Sequence, residues 1–287
     1  MIHTFGVPDL YDVEGGFGTG NIGGIDRFGV MANQGGNSGG DLAWPGHISA
    51  WTRLKLGWVD PTVIDTDGVY KLRPVEENQN MYKITKGFAE KEYLLLENRQ
   101  SIAGDFDEKF MNPGGIVIYH IDENIWDDFD NGGNVGNFPR GGPFQSGWPG
   151  NGRHYPVAVL QADGLFELEQ GINGGKSDDI WNQVSQVLGP GNGESVASGA
   201  KYPNTDSYAF GQIKTTGITI KNFQTTAGKT MSFQVCGLSS TGDCADNIID
   251  VDNEVPTTSV ESSSNSSFHG KSIWFILIGW ILILIGY

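Results

Sequence analysis

The period of the apolar positions changes along this chain. Between 45 and 58, Ile48, Trp51 and Leu54 recur at every third residue and Gly57 stands where a helix would stop. That pattern predicts a helix over 45–58. Downstream the pattern turns to strands, over 68–74, 80–85, 92–97, 115–121 and 155–161. The last two alternate little, which predicts burial on both faces. Residues 218–220 and 231–235 alternate with period two around Ala227-Gly228-Lys229, a hairpin signal. No internal repeat is visible.

The C-terminal part reads differently. Residues 257–267 are Ser/Thr-rich and of low complexity, the composition of a linker without a packed core. Residues 273–287 are fifteen apolar or uncharged positions. As a helix that stretch spans about 22 Å at 1.5 Å per residue, short of the roughly 30 Å hydrocarbon core of a bilayer. Two readings stay open. Ser262, Ser263 and Ser264, a spacer over 265–272 and the apolar tail fit a GPI-attachment signal. The same tail fits a short single-pass transmembrane helix with Lys271 at one interface. Either predicts a protein anchored at the cell surface, on the extracellular side of a membrane.

Composition narrows the partners. At 287 residues the chain is long enough for a large core, and 18 Lys+Arg against 34 Asp+Glu give a net charge of −16. Such a balance argues against nucleic acid and against an anionic membrane surface as partner. With 43 Gly and only 18% charged residues, the chain is rich in turns rather than in helical bundles. Residues 1–2, ahead of the first motif, contain neither the basic nor the apolar region of a signal peptide. The two cysteines, Cys236 and Cys244, predict a small disulfide-closed loop in an oxidising compartment. Asn265-Ser266-Ser267 is a glycosylation acceptor pattern.

Candidate chemistry begins at the first residues. His3-x-x-Gly6-x-x-Asp9 matches the second half of H-E-x-x-H-x-x-G-x-x-[HD], a zinc-protease pattern. In the full pattern a helical turn puts two His on one face, Gly lets the chain reverse, and a third side chain swings back onto the metal. His3 takes the place of the second His and Asp9 that of the third ligand. The first His and the general-base Glu fall upstream of Met1, so no catalytic base is assigned within the chain. Tyr11 and Asp12 are candidates for orienting the ligands.

The run His3-Thr-Phe-Gly-Val-Pro-Asp-Leu-Tyr-Asp12 resembles the immune inhibitor A type of secreted zinc metallopeptidase, a metzincin-like family. A matching turn follows, Gly24-Ile-Asp-Arg-Phe-Gly-Val-Met31-Ala-Asn33, and the blocks 92–100, 114–123 and 159–164 are similar too. The resemblance covers roughly 3–237. It implies an α+β, β-rich fold, the C-terminal part of a metzincin-like catalytic domain, with zinc as cofactor and polypeptides as substrates. It also implies that Met31 lies under the metal as an apolar floor. The expected organisation is a peptidase-like domain over 1–237, a linker over 238–272 and the anchor or GPI signal over 273–287. The expected function is surface-anchored zinc-dependent peptide hydrolysis, with this chain silent by itself. The alternative is a non-catalytic adhesion or binding module derived from the same fold.

Other candidates are weaker. His120, in His-Ile-Asp-Glu123 at a strand end, is expected to be a hydrogen-bonded structural histidine, and His47 and His154 structural or exposed. Acid-rich loops containing Asp105 and Asp107, then Asp127, Asp128 and Asp130, and Asp178-Asp179, suggest calcium, a cation that takes six to eight oxygens. None matches an EF-hand. The Gly-rich stretch 132–152 is long for a connection, and 15–24 lacks the setting of a phosphate loop.

Overall fold

A computed structural model of the chain describes residues 2–11, 24–32, 46–127, 146–152, 154–191, 202–239, 244 and 248–249. The fold is mixed α/β and strand-rich with few helices. In chain order its elements are α1 (Ala50–Lys55), β1 (Thr62–Val63), β2 (Gly68–Leu72), β3 (Tyr82–Ile84), β4 (Glu92–Arg99) and β5 (Gly115–Asp122). There follow α2 (Asn124–Asp127), β6 (Val157–Val159), β7 (Val187–Leu188), β8 (Thr219–Thr225), β9 (Met231–Cys236) and β10 (Ile248–Ile249). Among the described residues no helix is long and apolar enough to cross a membrane. The tail over 273–287 and Asn265 lie outside the described residues.

The strands form two five-stranded sheets, ordered β1-β3-β4-β5-β6 and β10-β2-β9-β8-β7. Pairing is antiparallel except for the parallel edges β1·β3 and β10·β2. Every residue of β4 and β5 is buried, because both faces of the first sheet are covered. Side chains alternate across a strand. Leu94, Leu96, Ile116 and Ile118 therefore join the second sheet's Phe223, Phe233 and Val235 in one core. Tyr93, Leu95, Val117, Tyr119 and Ile121 face the other way, onto Val7, Leu10, Ile25, Phe28, Met31 and Trp51. The first sheet is thus a wall between two cores, and the His3–Asp9 segment belongs to the side away from the second sheet.

The helix is shorter than the apolar spacing predicts. Ser49 caps it, its hydroxyl accepting from the Thr52 N–H at 3.3 Å, so α1 starts at Ala50. It ends where Gly57 turns left-handed (φ +70°), with Gly57 N–H donating to Leu54 and Trp58 N–H to Arg53.

The linker also starts later than 238. Leu238 and Ser239 donate backbone N–H groups to Asp67, a disulfide joins Cys236 to Cys244 with Cα atoms 5.0 Å apart, and β10 pairs with β2. These contacts hold the chain to the second sheet, and the compact unit runs over Met1–Glu254. The remainder, Val255–Tyr287, is a second unit outside the described residues.

Candidate metal centre

The segment carrying His3 is a single 3-10 turn, Ile2–Phe5, closed by Gly6 N–H donating to the His3 carbonyl at 2.9 Å. Gly6 has φ +79°, a left-handed conformation that reverses the chain. Beyond it, Val7 and Leu10 are buried and pin the loop to the core, while Asp9 between them stays partly exposed. The reversal brings Asp9 back onto His3.

His3 Nε2 stands 3.0 Å from Asp9 Oδ1. The other ring nitrogen, Nδ1, donates to the Val7 carbonyl at 2.9 Å, so Nε2 is the ring atom that faces the carboxylate. Tyr11 donates its hydroxyl to the second Asp9 oxygen, Oδ2, at 2.9 Å. That bond to Asp9 raises the Tyr11 pKa and keeps the phenol a donor. Zinc with bonds of about 2.0–2.1 Å holds tetrahedral neighbours about 3.3 Å apart. The His3–Asp9 separation fits two adjacent ligands with little movement, and each is fixed from behind as metal ligands are. Asp12 lies outside the described residues.

The Met31 turn returns to this loop. Leu10 donates its N–H to the Met31 carbonyl at 3.0 Å and accepts from Ile25 N–H at 3.1 Å. Gly24 is needed there, because a Cβ on it would lie 2.1 Å from the Leu10 carbonyl oxygen. From below, Arg99 Nη1 donates to the Phe28 carbonyl at 2.8 Å, and the Tyr119 hydroxyl oxygen lies 3.2 Å from the same carbonyl. The same charged group ties in α1, since Arg53 Nη2 meets Glu97 Oε2 at 2.5 Å and Tyr119 donates to Glu97 Oε1 at 2.6 Å. Hence the His3–Asp9 loop, the Met31 turn, the helix and the central strands form one braced assembly.

The acidic loops behave differently. Asp107 is fully buried and receives Arg99 Nε and Nη2 at 2.7 and 2.6 Å, so a guanidinium occupies the position expected for calcium. Asp105 instead caps Phe106 N–H at the surface, at 2.6 Å. The side chain of Asp127, together with Asp128 and Asp130, lies outside the described residues.

A second constellation draws on four separate segments. Strand register sets Glu92 opposite Asp122 and Leu94 opposite His120, on the face turned away from the Met31 core. His120 Nε2 lies 2.9 Å from Glu92 Oε1. Glu92 Oε1 also accepts from Tyr208 N–H at 2.6 Å, and Oε2 accepts from Ala89 N–H at 3.3 Å and from the Ser207 hydroxyl. Burial opposes ionisation of Glu92, but the bonds from His120, Ser207 and Tyr208 outweigh it and hold the carboxyl at about 2. His154 packs edge-on against His120 with ring centroids 4.6 Å apart. Burial, and then the charge of His120, push the His154 imidazole down towards its neutral form. One donor atom each from Glu92, His120 and His154 lie within 4.8 Å of one another.

The strand-end His120 is hydrogen-bonded as the sequence suggests, whereas His154 is largely enclosed rather than exposed. Glu92 and His154 carry no local signal as a site: Glu92 is 28 residues from His120 and 115 from Ser207, and strand register and the packing of distant segments join them. Comparison with family models, with curated proteins and with solved structures returned no match.

Proposed function

We propose that the chain supplies His3 and Asp9 as two ligands of a catalytic zinc centre, in a metzincin-like peptidase that hydrolyses polypeptides. The observation that carries this reading is the His3–Asp9 pair, Nε2 facing Oδ1 at 3.0 Å with each side chain held by its other polar atom. The return of the Met31 turn onto Leu10 supports it. A zinc ion held there supplies a water acidified towards neutrality and positive charge for a scissile carbonyl oxygen. His3 contributes a nitrogen whose tautomer is set by Val7, and Tyr11 keeps Asp9 from rotating away. The pattern asks for a further His and a Glu four and three positions before His3, which would provide the remaining ligand and the base. Calcium is proposed as a stabilising ion for the loop of Asp127, Asp128 and Asp130, and the 273–287 tail as the element that holds the protein at a membrane.

The test compares the chain with a version extended through the in-frame codons before Met1, using zinc content and cleavage of a fluorogenic casein. The chain as it stands should cleave nothing. The extended chain should cleave, a zinc chelator should stop it, and His3→Ala should remove one equivalent of zinc together with all cleavage. Cleavage that survives His3→Ala sinks the reading. An extended chain that neither holds zinc through His3 nor cleaves leaves the non-catalytic surface module.

A further inference from the structure

The face of the first sheet turned away from the Met31 core ends in an unusual concentration of charge. Glu92 and Asp122 are directly cross-strand neighbours, a like-charge pairing that destabilises a sheet unless something positive answers it. Both are fully enclosed. Asp122 spends Oδ1 on Asn124, accepting from its N–H at 3.0 Å and from Nδ2 at 2.9 Å. Its Oδ2 faces His154 Nε2 at 3.3 Å as an ion-pair partner, while the other ring nitrogen of His154, Nδ1, is buried with no hydrogen-bond partner. Native proteins pair their buried polar atoms, so a buried ring nitrogen left unpaired beside Glu92 and His120 asks for a missing partner, and an ion is one that satisfies it.

We infer that Glu92, His120 and His154 form a second metal site, for a divalent transition ion of the zinc class, with Asp122 positioning His154. Two imidazoles and one carboxylate select such an ion over calcium or magnesium, which prefer oxygen alone. The 2.9 Å between His120 Nε2 and Glu92 Oε1 is close to the spacing of adjacent ligands on zinc, about 3.3 Å. An ion can therefore take the place of the proton they share, His120 carrying its own proton on Nδ1 instead. Glu92 Oε2 remains with Ser207 and Ala89, which fix the carboxylate and leave Oε1 as the ligand. Asp122 behind His154 is the carboxylate–imidazole pairing that orients metal-bound histidines. Three protein ligands leave a fourth position. His120, His154 and Tyr208 line a pocket with Trp148, Tyr155 and Phe166, so that position opens onto an aromatic cavity able to admit water.

This site is independent of the His3–Asp9 proposal, because the first sheet separates the two. A chain carrying His3→Ala and Asp9→Ala distinguishes them. Titrated with zinc chloride and then dialysed, the double variant should retain one zinc, and cobalt in its place should give the visible absorption of a four-coordinate, histidine-ligated ion. Zinc should also raise its melting temperature. Adding His154→Gln should weaken zinc at least tenfold, and adding Asp122→Asn about tenfold, since outer-shell partners typically contribute 10- to 100-fold. A folded double variant that binds neither zinc nor cobalt overturns the inference, as does undiminished affinity after His154→Gln. Should His154→Gln not fold, Asp122→Asn decides: unchanged affinity there rejects Asp122 and His154 as part of a metal site.

Discussion

At the scale of single residues, Arg99 shows how the fold handles a charge it has enclosed. Its guanidinium has no contact with solvent, and Asp107 and the Phe28 carbonyl answer it. Such a pair is stable only while both members are present. Arg99→Leu strands Asp107 in the interior and should cost roughly 3–5 kcal/mol in urea unfolding. Combining it with Asp107→Leu should recover a large part of that loss. A single variant as stable as the parent would show that Asp107 finds another partner. The pair also explains what was legible and what was not. Asp105 and Asp107 stand two apart in one acidic loop, and nothing in their spacing tells the capping surface residue from the enclosed one. His3, Gly6 and Asp9 are different, because their geometry is made by one short loop. Glu92 and His154 are at the other extreme, brought together by register and by packing of distant segments.

At the scale of elements, the pattern located the strands better than their ends. β4 runs to Arg99, past the 97 expected from hydropathy, because Asn98 and Arg99 are polar residues buried with partners. Hydropathy marks them as the end of a strand; pairing with Gly115 and Ile116 continues it. The two-residue strands β1, β7 and β10 have too few positions to show a period. α1 illustrates the opposite error, since the apolar spacing begins at Ile48 while the Ser49 cap delays the helix. Its other end depends on Gly57 in the left-handed region. Gly57→Ala should destabilise by about 1–2 kcal/mol, the cost of placing a Cβ in that conformation, and Gly57→Asn by less. Thermal unfolding of the two variants side by side checks this, and an unchanged Gly57→Ala would mean that the C-terminal turn of α1 rearranges without cost.

For the whole molecule, enclosed carboxyls set the response to pH. Burial raises Glu169 to about 8 and Asp179 to about 7, and in both cases neighbouring acids add to the effect. The unfolded chain ionises these groups near the ordinary value of about 4. From there upward the unfolded state holds fewer protons than the folded one, so their contribution is full at lower pH and is lost as pH rises through 7 and 8. Glu92, held at about 2, acts in the opposite sense: its contribution is present above the ordinary carboxylate range and is lost as pH falls towards 2. Stability should therefore peak in weakly acidic solution. The melting temperature at constant salt should fall by several degrees between about pH 6 and pH 9, and Glu169→Gln should flatten that slope. A melting temperature that rises over the same range would contradict it. The disulfide bears on a different kind of stress. A mechanical pull on the chain from its C-terminal side reaches β10 first, a two-residue parallel edge strand that can peel from β2. Peeling can proceed only as far as Cys244. From there the load passes through the covalent bond to Cys236, at the end of β9, the middle strand of its sheet. Tension is thus carried past the weak edge and shared by β2 and β8 on either side, so the sheet bears tension through its centre.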